Sequence, residues 1–303
     1  MSTDNYDDEL LAEIRSASQT PETYIDNIAE DQAIKVLLLG ENEFPDNPFR
    51  SVLNKFISRL KKDTFTHLAL EWKSTLKGAL TRFQNGGSID DLANELYNAG
   101  YEKFFLSDSP QDRDTEYFNI LIEARSKGLE LVAVDEDPGN GGYTDRDGTM
   151  RTNITNLFSE PSSRVLFIGG SFHTYVRQPL FRGKFLSLAE QLSAAGRQIF
   201  SIIGLTANDL NSPNGFRRLV MGFCPLRNWP PFAVQTSNCA PLNDLICQYQ
   251  ARCAGGTCRY ADGLHSQATS SCSRSRTACL TVKNEPRFPI RYGDWDGIVW
   301  TNA

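Results

Sequence analysis

The chain predicts an α/β protein with one mostly parallel central sheet, helices on both of its faces, and an irregular cysteine-rich excursion towards the C-terminus. Three observations carry this. The run Ile34-Lys-Val-Leu-Leu-Leu-Gly40 is almost wholly apolar, which marks a strand buried on both faces. Further apolar runs at 67–70, 129–134, 164–169 and 198–204 alternate with segments of helical spacing, the rhythm of a parallel sheet. Beyond residue 206 that rhythm stops.

Each element has a local reason. Asp7–Arg15 is rich in helix formers, and Thr20-Pro-Glu-Thr23 reads as a cap and first turn. Between Asn47 and Leu60, the residues Phe49, Val52, Leu53, Phe56, Ile57 and Leu60 fall on one helical stripe. The strand at 66–71 follows within a few residues, so the spacing predicts a βαβ unit. Ser88 and Gly100 bracket a helix as N-cap and C-terminal stop. Helices are also expected at 114–128, before the strand at 129–134, at 148–158, before 164–169, and at 184–195, before 198–204.

Residues 207–285 are broken by Pro213, Pro225, Pro230, Pro231 and Pro241 and are rich in Ser, Asn and Gly. Tyr292–Trp300 then reads as one last strand returning to the sheet. A single α/β domain over residues 1–303 is therefore expected. It divides into a helical lead-in (1–30), an α/β core (31–206), the irregular insertion (207–285) and the closing strand (286–303).

Composition sets outer bounds. Of 303 residues, 40% are hydrophobic and 22% charged, ordinary for a globular chain with a substantial core. A net charge of −6 argues against a general phosphate-backbone binder, so nucleic acid is not an expected partner. No apolar run approaches the roughly 18 residues of a membrane span. The acidic start Met1–Glu9 has no signal-peptide pattern, which points to the cytoplasm, with export by another route as the alternative. All seven cysteines, from Cys224 to Cys279, lie late in the chain without a Cys-x-x-Cys pair. They are compatible with reduced thiols, with disulfides that leave one cysteine over, or with a metal.

The residues that attract chemistry stand where the strands end. In open α/β sheets ligands bind just beyond the carboxyl ends of the strands. The first strand delivers Glu41 and Glu43 there, the second Glu71, the third Asp135 with Glu136 and Asp137, and the fourth His173 after a Gly-Gly pair. Each also has a plain structural reading. Glu41 could cap a helix or pair with an arginine, and Glu71 could pair with Lys73. Arg146 and Asp147 could be a surface pair. Tyr175 and Arg177 are possible substrate contacts, His67 reads as packing, and His265 lies in the excursion.

In order and spacing these segments resemble the Tiki/ChaN-like/erythromycin-esterase-like superfamily. Val36-Leu-Leu-Leu-Gly-Glu-Asn-Glu43 resembles its strand ending in Gly-Glu-x-His, and Leu68-Ala-Leu-Glu71 its second strand. Tyr143–Ile154 resembles its Arg-Asp-x-x-Met helix start, and Val165–His173 its strand ending in Gly-x-x-His. Asp296-Gly-Ile-Val299 resembles its last strand. The departure is Glu43, which stands where the family usually has its first histidine.

The resemblance implies a hydrolase of ester, amide or peptide bonds acting on a small molecule or peptide. Glu41, with Glu43 or Glu71, would activate water, while Arg146 and His173 stabilise the oxyanion and orient the substrate, with Asp135, Tyr175 and Arg177 as contacts. Glu41, Glu43 and His173 would be the ligands of one divalent metal, Mn, Fe or Zn. Haem is less expected, because Glu43 removes a nitrogen ligand. The alternatives are a non-catalytic haem-, iron- or ligand-binding protein and an exported effector that uses the same rim.

Overall fold

The computed structural model describes residues 12, 15–137, 145–176, 186–206, 232–235 and 296–301. The seven cysteines, His265, Arg177 and the expected helix at 7–15, apart from residues 12 and 15, lie outside the described residues. Strands β1 (Val36–Glu41), β2 (His67–Lys73), β3 (Glu130–Asp135), β4 (Val165–Gly170), β5 (Ile199–Thr206), β6 (Phe232–Gln235) and β7 (Gly297–Thr301) form one sheet in the order β3-β2-β4-β1-β5-β7-β6. Six strands run parallel, and β6 lies antiparallel on the edge against β7. The mostly parallel α/β architecture is thus as the sequence predicts.

Helices α1 (Pro21–Glu30), α2 (Pro48–Arg59), α3 (Lys77–Gln84), α4 (Ile89–Asn98) and α5 (Thr115–Ser126) cover one face. Helices α6 (Arg146–Thr155) and α7 (Leu188–Ala194) cover the other. Strand β1 shows why a continuous apolar run is needed between them. Leu37 and Leu39 pack with Phe49, Leu53 and Phe56, while Val36 and Leu38 pack with Met150, Ile154, Leu188 and Leu192. Each of those side chains contributes about 1.5–3 kcal/mol when fully buried.

The caps fall where the side chains allow them. Thr20 accepts from the Thr23 amide at 3.2 Å, Asn47 from the Phe49 amide at 3.0 Å, and Ser88 from the Asp90 amide at 3.0 Å. Asp114 accepts from the Tyr117 amide at 3.0 Å.

Five details depart from the sequence expectation. The βαβ unit from β1 to β2 is split, because β4 inserts between them. The helix expected at 148–158 starts at Arg146, since the Asp145 carboxylate caps the Gly148 amide at 2.9 Å. The helix expected at 184–195 starts only at Leu188, where Ser187 and Glu190 form a reciprocal capping box. The excursion 207–285 contributes β6, and a helix outside the expected set, α3, forms between Lys77 and Gln84 with Ala79, Leu80 and Phe83 buried.

Gly40 fixes how closely the segment after β4 can approach β1. A Cβ there would lie 2.4 Å from Thr174 Oγ1 and 2.9 Å from Ser171 Cα. Gly40→Ala is therefore expected to lose about 1–3 kcal/mol of stability as the Ser171–Thr174 turn is pushed away. An unchanged urea midpoint would contradict this close packing.

A candidate active site at the carboxyl ends of the strands

The ends of β1, β2, β3 and β4 bring Glu41, Glu71, Asp135 and Gly170 to one rim. Buried carboxylates need partners, and each finds one. Glu41 is 1% exposed and grips Arg50 through both oxygens: Arg50 Nη2 donates to Oε1 at 2.8 Å and Nε to Oε2 at 2.9 Å. Arg50 is itself fully buried, and its Nη1 donates to Asp114 Oδ2 at 2.6 Å. This is the arginine pair that the structural reading of Glu41 allowed.

Glu71 is the hub. Its Oε1 accepts from Arg146 Nη2 at 2.5 Å and from His173 Nε2 at 3.2 Å, and its Oε2 accepts from the Gly170 amide at 2.5 Å. Lys73, its expected partner, instead donates to the Ala99 carbonyl at 3.0 Å. Gly169 and Gly170 make room for this carboxylate, since a Cβ on Gly169 would lie 2.8 Å from Glu71 Oε2. The close approach that the Gly-Gly pair signals is thus to Glu71. Arg146 also clasps both oxygens of Asp135, which is 1% exposed.

His173 stands between two acids. Its Nδ1 donates to Asp147 Oδ1 at 2.7 Å, and the same oxygen accepts the Leu188 amide at 2.9 Å. Burial disfavours the imidazolium, but Glu71 and Asp147 outweigh it and push the imidazole up to about 10. Burial also acts to raise Glu71, yet His173, Lys103 and Arg146 hold its carboxyl well below the usual range.

Glu43 lies beyond the end of β1. A Cβ on Gly170 would be 3.2 Å from Glu71 Oε2 and 3.5 Å from Glu43 Oε2, so the two carboxylates converge over that glycine. Glu43 pairs with Lys103 Nζ at 2.5 Å and is 18% exposed. Burial first, and then the charges of Glu71 and Glu41, push its carboxyl up to about 7 against the pull of Lys103. The solvent-facing groups of the cluster are Arg146 at 30%, Lys103 at 27%, Glu43, Asp147 and His173, above a floor of Glu41, Glu71, Asp135 and Arg50.

Of the residues expected from the sequence, Glu41, Glu43, Glu71, Asp135, Arg146 and His173 share this cluster. Tyr175 is 4% exposed, with its ring stacked 6.1 Å from Phe172. Arg177 lies outside the described residues. Asp137 is taken up by Ser74 and Thr75. His67 sits at the start of β2 beside Thr66 and Glu130, away from the rim. Sequence reasoning missed Arg50, Lys103 and Asp114 and left Asp147 as a surface partner. Arg50 had a signal, being a charge set between Phe49 and Val52 beside an apolar stripe.

The expected metal set fits poorly. Glu41 gives both oxygens to Arg50, Glu43 is paired with an ammonium, and both ring nitrogens of His173 already serve acids. The same engagement of His173 leaves no nitrogen for haem iron. Among the described residues no group of three or more His, Cys, Asp or Glu side chains is arranged to hold a metal ion, and no helix is long and apolar enough to cross a membrane.

No family model matches the chain, and no curated protein does. Among solved structures it is similar to the type III effector HopBA1, at 12% identity and a TM-score of 0.44, over 62% of this chain and 84% of that one. It is also similar to two structures of bacterial protein toxins, at 20% and 21% identity and a TM-score of 0.43. Each of those matches covers 64% of this chain and 38% of the toxin.

Two outcomes follow from the geometry. Arg50→Met strands Glu41 and Asp114 without their buried partner and is expected to cost roughly 3–5 kcal/mol. Arg59→Met, which breaks a half-exposed pair with Asp26, should cost less than about 1 kcal/mol. Equal urea midpoints for the two variants would contradict this ranking. His173 binds its proton more tightly folded than unfolded, so its contribution is complete below pH 6.5 and is lost as pH rises towards about 10. Unfolding free energy measured across that window should fall less steeply for His173→Gln than for the wild type. Identical slopes would contradict the imidazolium.

Proposed function

We propose that this rim hydrolyses an ester or amide bond of a small molecule or peptide, with Glu43 as the base that activates water. One observation carries the reading: Glu43 is a partly exposed carboxylate at the mouth of the cluster, beside a partly exposed ammonium, while Glu41, Glu71 and Asp135 are sealed in buried pairs. The role expected of Glu41 therefore passes to Glu43, because Arg50 occupies both oxygens of Glu41. The resemblance of the strand-end segments to a hydrolase superfamily supports the same class of reaction.

In this reading Glu43 takes a proton from water as the oxygen attacks the carbonyl carbon. The negative charge forming on the carbonyl oxygen is offset by the partly exposed cations Lys103 and Arg146. Collapse breaks the bond to the leaving group, and the protonated Glu43 returns the proton to it. A carboxylate pushed up to about 7 is matched to this work near neutrality. His173 acts one step back, as the positive group that keeps Glu71 ionised and in place against Gly170.

The test is turnover of a panel of p-nitrophenyl esters and fluorogenic peptide amides. With any member that is hydrolysed, kcat/KM should rise through pH about 7 as Glu43 loses its proton. Glu43→Gln should lower kcat by about 10²–10⁴-fold. Full turnover in Glu43→Gln would remove Glu43 from the mechanism.

A further inference from the structure

A side chain on a loop keeps a working position only where the loop is tied down by its surroundings. Glu43 is on such a loop. Six residues, Asn42–Asn47, join the end of β1 to the start of α2. Asn47 closes this loop on itself. It is 2% exposed, and its side-chain amide reaches both ends: Nδ2 donates to the Asn42 carbonyl at 2.7 Å, and Oδ1 accepts from the Phe49 amide at 3.0 Å. Among the side chains that cap helices well, only asparagine carries its donor and its acceptor on separate atoms. The clasped carbonyl belongs to the residue immediately before Glu43. The far side of the loop is held as well. Asp46 has a φ of 57°, in the left-handed region that residues other than glycine rarely enter, and its amide donates to Asp114 Oδ2 at 3.0 Å.

We propose that Asn47 is the positioning residue of Glu43: its amide clasps the loop so that the Glu43 carboxylate meets Lys103 and lies over Gly170 beside Glu71. The effect on turnover rests on the reading of Glu43 as base, whereas the placement of Glu43 does not. The charged groups that face this carboxylate come from four places. They are Glu41 at the end of β1, Glu71 from β2, Lys103 from the 3-10 turn Glu102–Phe104, and His173, which stands over the same glycine from the turn after β4. A backbone shift at Asn42 carries Glu43 away from this setting and towards water, where a carboxyl ionises at its ordinary pH. Asp114 is a poorer probe of the loop, because its Oδ2 also holds the buried Arg50.

The test compares the wild type with Asn47→Ser, which keeps a good cap for α2 but has no amide to reach Asn42. Ser88→Ala is the control, since it removes a cap from α4, which supplies no group of the rim. The Glu43 carboxyl carbon is followed against pH by nuclear magnetic resonance. Its midpoint should fall from about 7 towards the ordinary value of about 4.3 in Asn47→Ser and stay in place in Ser88→Ala. With a hydrolysed ester or amide, kcat of Asn47→Ser should drop about 10–10²-fold with KM nearly unchanged, while Ser88→Ala keeps the wild-type rate. Asn47→Asp, which has the same shape and keeps the cap, gives the answer where Asn47→Ser does not fold. Its added negative charge alone would raise the Glu43 midpoint, so a fall reports displacement. The proposal is overturned if the midpoint does not fall in the folded Asn47 variant, or falls equally in Ser88→Ala. A midpoint that falls while Glu43→Gln keeps full turnover supports the placement by Asn47 and removes only the role of Glu43 as base.

Discussion

The neutralisation of Glu71 is the interaction on which the rest of the rim depends. A carboxylate that is 4% exposed at the end of a central strand would cost several kcal/mol if left alone. Its partners arrive from three separate parts of the chain: Arg146 from the start of α6, His173 from the turn after β4, and the amide of Gly170 from β4 itself. Each partner needs support in turn. Arg146 is held by Asp135 at the end of β3, and His173 by Asp147, which also receives the first amide of α7. One buried acid thus fixes the relative positions of three strand ends and two helices on the same face.

The second cluster, Glu41–Arg50–Asp114, does the same for the opposite face. Arg50 joins β1 to the capped start of α5, and Asp114 also accepts the Asp46 amide at 3.0 Å, which shapes the loop after β1. Glu43 projects from that loop into the space between the two clusters. Its proximity to Glu71 and its pairing with Lys103 follow from how both clusters and this loop are built, rather than from Glu43 itself. A carboxylate with this combination of partial burial, a like charge and one mobile-length cation is well suited to exchange a proton near neutrality.

The fold was largely legible because its causes are local. Val36–Leu39 alternate between two cores, and Thr20, Asn47, Ser88 and Asp114 are capping side chains that sit where helices start. Strand order was not legible, since nothing in β1 or β2 announces that β4 will pass between them. In the site, the acids at the strand ends could be found because apolar runs that stop at a carboxylate are unusual. Their partners could not. Lys103 sits within a short 3-10 turn some sixty residues after Glu43, and Asp147 sits beside Arg146, where a surface pair is the simpler reading. The allotment of roles among Glu41, Glu43 and Glu71 depends on which acid each cation reaches, and that is decided by tertiary packing.

The central claim is that Glu43 holds its proton into the neutral range because burial, and then the charges of Glu71 and Glu41, disfavour its ionised form, while Glu71 beside it stays ionised. The most direct measurement is a pH titration of the glutamate side-chain carboxyl carbons by nuclear magnetic resonance, with Glu43→Gln and Glu71→Gln used to assign the two signals. The account predicts a Glu43 midpoint near about 7 and a Glu71 signal that stays ionised to well below the ordinary carboxylate range. A Glu43 midpoint at the ordinary value of about 4.3 would contradict it.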